Sequence, residues 1–105
     1  VLAAPDLMWT ECANVLWVKA RRGQITRDAA TAALAAIDAA PIRWLGGRDY
    51  VKAAQIIAFE LDQTAYDCLY LATALAERAL LVTADETFAR VALAHPVYGA
   101  SIRAL

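Results

Sequence analysis

The stretch TAYDCLYLATALAERALLVTADETF, residues 64–88, decides the fold class of this chain. Its first part has the apolar spacing of a helix over Thr64–Arg78, and the continuous apolar run Ala79–Thr83 follows. A run without alternation is typical of a parallel strand that is buried on both faces. Asp85 is then suited to cap a further helix over Glu86–Ala94. This order of helix, buried strand and helix predicts an α/β fold.

The rest of the chain shows the same alternation of helices with short apolar runs. Gly23 and Pro41 are helix stop signals. Five predicted helices accompany only three candidate strands, so we expect a strand to be missing upstream. The further predicted elements are helices over Asp6–Arg22, over Arg27–Ala39 with Thr26 as its cap and over Tyr50–Glu60 with Asp49 as its cap, a strand over Pro41–Leu45, and a last weak strand around Val97 and Tyr98 or Ile102.

Length and composition predict one domain over residues 1–105, since 105 residues with 61% hydrophobic content can fill one small core. The formal net charge of −1 gives no overall attraction to nucleic acid or to a membrane. The apolar stretches are too short to span a bilayer, which predicts a soluble protein without a membrane partner. Two cysteines, Cys12 and Cys68, do not form a CxxC pair. The expected compartment is therefore the cytoplasm.

Two aspartates stand inside the apolar stretch that decides the fold. A helix that precedes a parallel strand begins at the carboxyl edge of the sheet, so Asp67 and Asp85 are expected to converge at that edge, where α/β sheets bind ligands. Each also has a purely structural interpretation. Thr64 and Asp67 match a capping box, and Asp85 is a good N-cap. The pattern leaves both interpretations open.

A third carboxylate, Glu11, falls on a helical wheel between Leu7, Val15 and Val18. A carboxylate that is buried or half-buried among apolar side chains needs a partner, because an unpaired charge in a dry site is costly. Mg²⁺ or Mn²⁺ would supply that partner, since hard cations prefer carboxylate oxygen. Such a cation polarises a phosphate and lowers the pKa of a bound water. This is the chemistry of phosphodiester hydrolysis.

Three segments together resemble the PIN domain, in particular its VapC-type toxin branch: YDCLYLATA, the following LLVTADETF, and the upstream PDLMWTECANVLWVKARRGQI. The resemblance covers essentially the whole chain. It implies a three-layer α/β sandwich with a mostly parallel central sheet. It also implies a metal-dependent endoribonuclease that cleaves RNA with Mg²⁺ or Mn²⁺ held by Glu11, Asp67 and Asp85. Thr83 matches a hydroxyl residue beside the site, and a homodimer and a cognate antitoxin are the implied partners.

The sequence departs from the family pattern at its beginning. The family's first acidic residue ends an N-terminal strand, and this chain is expected to lack that strand and to begin near the helix of Glu11. We therefore expect an N-terminally truncated PIN-like domain. A non-catalytic, degenerate PIN-like interaction module is the alternative, and another α/β phosphoryl-transfer fold with acidic metal ligands is a second one.

Basic, aromatic and imidazole side chains are weaker candidates. The basic residues that end the first helix suit a helix C-terminus as well as they suit RNA. Tryptophans can stack on bases but are ordinarily core or interface residues, and a lone loop histidine is ordinarily exposed to solvent. The first helix carries more apolar surface than one small domain can bury, which predicts association through it. The residues concerned are Lys19, Arg21, Arg22, Trp9, Trp17, Trp44 and His95.

Overall fold

A computed structural model describes residues 2–105 of the chain. The chain divides into two compact units, Val1–Leu45 and Gly46–Leu105. The first unit contains β1 (Leu2–Pro5), α1 (Leu7–Arg21), α2 (Arg27–Ala39) and β2 (Ile42–Leu45). The second contains a 3₁₀ turn (Gly47–Tyr50), α3 (Val51–Leu61), α4 (Ala65–Ala76), β3 (Leu81–Thr83), α5 (Glu86–Leu93), a second 3₁₀ turn (Tyr98–Ser101) and β4 (Ile102–Ala104).

The first unit is a β-α-α-β arrangement whose two strands are parallel. Leu2 lies opposite Ile42 and Pro5 opposite Leu45 in the register of β1 with β2. Helices α1 and α2 make up the crossover that a parallel pair requires. Inside the unit the rings of Trp9 and Trp44 meet edge to face, 5.9 Å apart. This contact confirms the packing role predicted for these two tryptophans.

The turn between α1 and α2 has well-defined caps at both ends. Gly23 has φ +73°. The Gly23 N–H donates to Ala20 O at 3.0 Å and the Gln24 N–H donates to Lys19 O at 2.9 Å, the two bonds of a Schellman motif. Thr26 Oγ1 then accepts from Ala29 N at 3.0 Å at the start of α2. The predicted Thr26 cap and the predicted bounds of α2 are confirmed.

The strand β1 was not expected from the sequence. The pattern predicted that the chain begins at the helix of Glu11, whereas a strand over Leu2–Pro5 precedes that helix. The run is four residues long and contains two alanines and a proline, which have low β propensity. Its pairing with β2 supplies the strand, and no local pattern could reveal that partner.

The second unit packs three helices and a parallel pair of strands around a small core. β3 and β4 run parallel, with Leu81 opposite Ile102 and Thr83 opposite Ala104, and α5 is part of their crossover. Gly99 is required in this crossover, because a Cβ there would lie 2.6 Å from the carbonyl oxygen of Leu93. The buried side chains come from α3, α4, α5 and β4, and include Ala54, Ile57, Leu61, Cys68, Leu71, Ala72, Phe88, Ala89, Ala92 and Ile102.

Two local expectations for the second unit are wrong, and a third is resolved. Asp49 does not cap α3, because it lies within the first 3₁₀ turn and Tyr50 occupies the cap position without a side-chain bond. β3 begins at Leu81, and Val82 is 51% exposed, so the strand is not buried on both faces. The last strand was predicted around Val97 and Tyr98 or around Ile102; it lies at Ile102–Ala104, which confirms the second position, while Tyr98 begins a 3₁₀ turn.

The α/β fold class with parallel strands and five helices is confirmed. The described helices are all too short or too polar to cross a lipid bilayer.

Candidate functional site

Asp85 is held at the junction between β3 and α5. Its Oδ1 accepts a hydrogen bond from Phe88 N at 2.9 Å, which makes it the N-cap of α5 as predicted. Phe88 is buried in the core, so the first turn of α5 is anchored on one side and capped on the other. The carboxylate itself is exposed. Its position just past the carboxyl end of a parallel strand is where α/β sheets bind ligands.

Thr83 is the last residue of β3, and its hydroxyl fixes the backbone next to Asp85. Thr83 Oγ1 accepts from Asp85 N at 3.1 Å, which is a local turn closed by a hydroxyl. The hydroxyl keeps its own O–H to donate, because that hydrogen bond uses only an oxygen lone pair. Thr83 can therefore position Asp85 and still donate one hydrogen bond outward.

Asp67 lies in the first turn of α4. Thr64 Oγ1 accepts from Asp67 N at 3.2 Å, so the predicted cap of α4 by Thr64 is confirmed. The Asp67 side chain is half-buried and is the acidic group of the first turn. A negative charge at this position is stabilised by the helix dipole. Both aspartates thus belong to N-terminal turns of helices, and their predicted convergence at one edge stays a prediction.

Cys68, which follows Asp67 in the first turn of α4, has a buried thiol with a raised pKa. Cys68 is fully buried, and burial raises the pKa of its thiol to about 11, with a smaller contribution from the Asp67 carboxylate. Its Sγ lies 4.0 Å from Gln63 O. A thiol with so high a pKa is inert at neutral pH. Cys68 is therefore a small buried core residue.

Glu11 is exposed on α1, which contradicts the expectation that it is buried or half-buried among apolar side chains. Val15, on the same side of the helix, is itself 53% exposed, so this face does not form a dry environment. The desolvation argument for a metal partner at Glu11 consequently fails. Its candidacy as a ligand depends on the resemblance.

The candidate ligands have the right chemistry for a hard cation, and they are divided between the two units. Glu11 belongs to the first unit, and Asp67 and Asp85 belong to the second. Within each unit, the described residues contain no group of three or more His, Cys, Asp or Glu side chains that could hold a metal ion. Mg²⁺ nevertheless keeps several waters and is often held by one or two carboxylates together with substrate phosphate. The all-oxygen donor set fits such a cation.

Two features of the structure were missed at the sequence level. Asp6 directly follows β1, so a further carboxylate stands at the carboxyl end of a parallel strand. The signal was a short apolar run followed by an acidic residue, which we interpreted as the start of a helix.

The other missed feature is a cluster of Glu60, His95 and Tyr98. Tyr98 OH donates to Glu60 Oε2 at 2.6 Å, and His95 Nε2 lies 3.7 Å from the same oxygen. His95 Nδ1 accepts from the amides of Val97 and Tyr98, and the two rings stack 4.2 Å apart. His95 is thus a half-buried turn residue, contrary to the expected exposed loop histidine. The spacing of His95 and Tyr98, three residues apart in a turn, was the available signal.

The model of the PIN domain family matches residues 1–94 of the chain. The matched region contains Glu11, Asp67, Thr83 and Asp85. The chain has no significant match among curated proteins.

Proposed function

The chain belongs to the PIN-domain family, and from this premise we propose that it is a Mg²⁺- or Mn²⁺-dependent endoribonuclease that acts as the toxin of a bacterial toxin–antitoxin pair. PIN domains are generally metal-dependent nucleases that act on RNA, so membership itself supports a nuclease-type function. One PIN domain over residues 1–105 is part of the proposal. The observation that carries it is the position of Asp85, exposed and fixed by its cap bond at the end of a parallel strand.

In this proposal Glu11, Asp67 and Asp85 hold the cation. When bound, a divalent cation neutralises charge on the phosphate and makes an attacking hydroxide available near neutral pH. The chain contributes positioning. Phe88 N–H occupies Oδ1 of Asp85 and leaves the second carboxylate oxygen for a ligand. Thr83 can donate its hydroxyl proton to a water or a phosphate oxygen beside Asp85.

The proposed protein partners are a second copy of the chain and an antitoxin. Helix α3 carries exposed apolar side chains one turn apart, Ile56 and Phe59, and the latter is 82% exposed. Large exposed apolar groups that cluster on a surface mark protein interfaces. This face of α3 supports the proposal that a protein partner binds to the second unit.

A non-catalytic PIN module remains the second candidate function. The exposure of Glu11 favours it, because a solvated carboxylate does not require a metal partner. An interaction module would use the α3 face without turnover. The two candidates make opposite predictions for metal-dependent cleavage.

The deciding experiment compares cleavage of a mixed-sequence RNA by wild type, Glu11→Gln, Asp67→Asn and Asp85→Asn, with Mg²⁺, with Mn²⁺ and with a chelator. Loss of cleavage in these variants, with melting temperatures close to that of wild type, would support the ribonuclease. Asp6→Asn belongs in the same panel, because that carboxylate also ends a strand.

A matched control in the second unit is Asp62→Asn. Asp62 caps the C-terminus of α3 with φ 54°, a left-handed conformation that asparagine adopts as readily as aspartate. The variant therefore removes one carboxylate without altering the fold. If wild type cleaves no RNA with either metal, the interaction module is the better description. If Asp85→Asn cleaves like Asp62→Asn, Asp85 is only a helix cap.

A further inference from the structure

The turn between α1 and α2 concentrates positive charge in a chain that is acidic overall. Residues 12–27 contain four basic and no acidic side chains, which leaves six basic against eleven acidic side chains elsewhere. All four basic residues are exposed. They are Lys19, Arg21, Arg22 and Arg27, and together with Trp17 we call them the basic turn.

Helix electrostatics explains only part of this cluster. Lys19 and Arg21 lie in the last turn of α1, where positive charge is favourable. Arg27 is the first residue of α2, where a positive charge opposes the helix dipole. A cation in that position does not stabilise its own helix. Asp28, the next residue, supplies the negative charge that the first turn of α2 favours, and Arg27 adds a fourth exposed cation to the cluster.

An aromatic side chain lies among these cations. Trp17 is 57% exposed, unlike the paired Trp9 and Trp44. The guanidinium carbon of Arg21 lies 5.5 Å from the centroid of the Trp17 ring, within the range of a cation–π contact. The contact with Arg21 restricts the orientation of the Trp17 indole, and the ring is still accessible to solvent. The predicted packing role therefore does not hold for Trp17 within the unit.

Two grooves flank the second half of α1. One, of about 210 Å³, lies between α1 and α2 and is lined by Trp17, Arg27 and Leu34 among others. The other, of about 340 Å³, combines cations with side-chain amides. Its polar lining is Asn14, Lys19, Arg22 and Gln24.

We propose that the basic turn binds single-stranded RNA. An accessible indole offers a stacking platform for a base, and the surrounding cations follow the phosphate backbone. A second copy of the chain is a poor occupant, because a two-fold interface would bring the same four positive charges together. An acidic protein segment would satisfy the charges but has no special use for an exposed indole between them.

This surface lies on the helix that also carries Glu11. Val15 and Val18, which line the second groove, follow Glu11 at helical spacing on one side of α1. Lys19 lies about 12 Å along the helix axis from Glu11 at 1.5 Å per residue. A single RNA strand that is bound at the basic turn can therefore extend along α1 to Glu11. The choice of RNA over DNA rests on the proposed function.

The test is fluorescence anisotropy with a labelled single-stranded oligoribonucleotide in a chelating buffer, so that binding is measured without cleavage. Lys19→Gln with Arg22→Gln should reduce the slope of log K against log salt by about 1.4, which is 0.7 for each phosphate contact. Trp17→Leu should weaken binding about 5- to 150-fold and leave that slope unchanged. Trp17→Phe should retain most of the affinity, because it preserves stacking.

The matched control is Lys52→Gln with Arg90→Gln, two exposed cations of the second unit, and it should bind like wild type. Polyglutamate should compete poorly. Equal RNA binding by wild type and the Lys19/Arg22 variant would overturn the proposal. So would polyglutamate that competes as well as RNA does, if Trp17→Leu leaves that competition unchanged.

The two proposals fail separately. Binding with these variant effects but without metal-dependent cleavage would refute the ribonuclease and leave the surface intact. The opposite result is metal-dependent cleavage with an affinity and a slope of log K against log salt that the variants do not change. It would refute the RNA-binding role of the basic turn and leave the ribonuclease proposal intact.

Discussion

Replacing Asp85 by alanine should destabilise the chain clearly more than replacing it by asparagine. Asp85 Oδ1 accepts the amide of Phe88 at 2.9 Å, and asparagine offers a carbonyl oxygen in the same place. Alanine leaves that amide without its partner, in the first turn of a helix that is eight residues long. The turn also holds the buried Phe88 ring in the core.

The size of the effect follows from two contributions. Loss of an N-cap side chain costs about 0.5–2 kcal/mol. Loss of a negative charge at a helix N-terminus costs about 0.3–1 kcal/mol when the group is exposed. For aspartate this charge contribution is already part of the cost of losing the N-cap side chain, so the two are not added. Asp85→Asn loses only the smaller contribution. For a chain of this size each kcal/mol corresponds to about 4–8 °C in melting temperature.

The assay is thermal unfolding by circular dichroism in a metal-free buffer, with Glu86→Gln as the matched control. Glu86 is an exposed carboxylate in the same helical turn. Its replacement therefore measures the charge contribution without removing the cap bond. We expect the melting temperature of Asp85→Ala to fall clearly below those of Asp85→Asn and Glu86→Gln.

Equal melting temperatures for Asp85→Ala and Glu86→Gln would refute this reasoning, because the cap bond would then contribute nothing. The result also decides how the cleavage experiment is interpreted. If Asp85→Asn folds like wild type, a loss of cleavage in that variant reflects chemistry at the carboxylate and not a damaged helix.

Three further predictions follow from the second unit. The hydrogen bond that Tyr98 donates to Glu60 raises the pKa of Tyr98 to about 12 from 10.0, so its stabilisation should be complete below pH 10 and lost as the pH rises towards 12. An absorbance titration should show a late tyrosine step that Tyr98→Phe removes, and a late step that persists in the variant would contradict this assignment. Ellman's reagent at pH 8 should label the half-buried Cys12 quickly and Cys68 only after unfolding, because burial raises the pKa of Cys68 to about 11; equal rates would contradict the burial. If α3 forms the proposed homodimer interface, Phe59→Asp should shift the mass measured by light scattering to that of a monomer, and an unchanged dimer would exclude this face.

Local sequence signals predicted the elements whose structure depends on their own residues. Thr26, Thr64 and Asp85 were each identified as helix caps, and each accepts the expected backbone hydrogen bond. Capping connects a side chain with an amide three residues away, so local sequence predicted these three caps, although a 3₁₀ turn displaced the cap expected at Asp49. For the same reason the α/β class was predictable from the order of helices and apolar runs.

Features that depend on distant partners were decided only by the tertiary structure. β1 exists because Leu2–Pro5 pairs with a strand forty residues later, and Glu11 is exposed together with its apolar neighbour Val15. The three tryptophans look alike in the sequence, yet Trp17 is the exposed one. A helical wheel gives the direction of a side chain but not what packs against it. Burial, and with it the choice between a packing residue and a binding residue, is therefore a property of the folded chain.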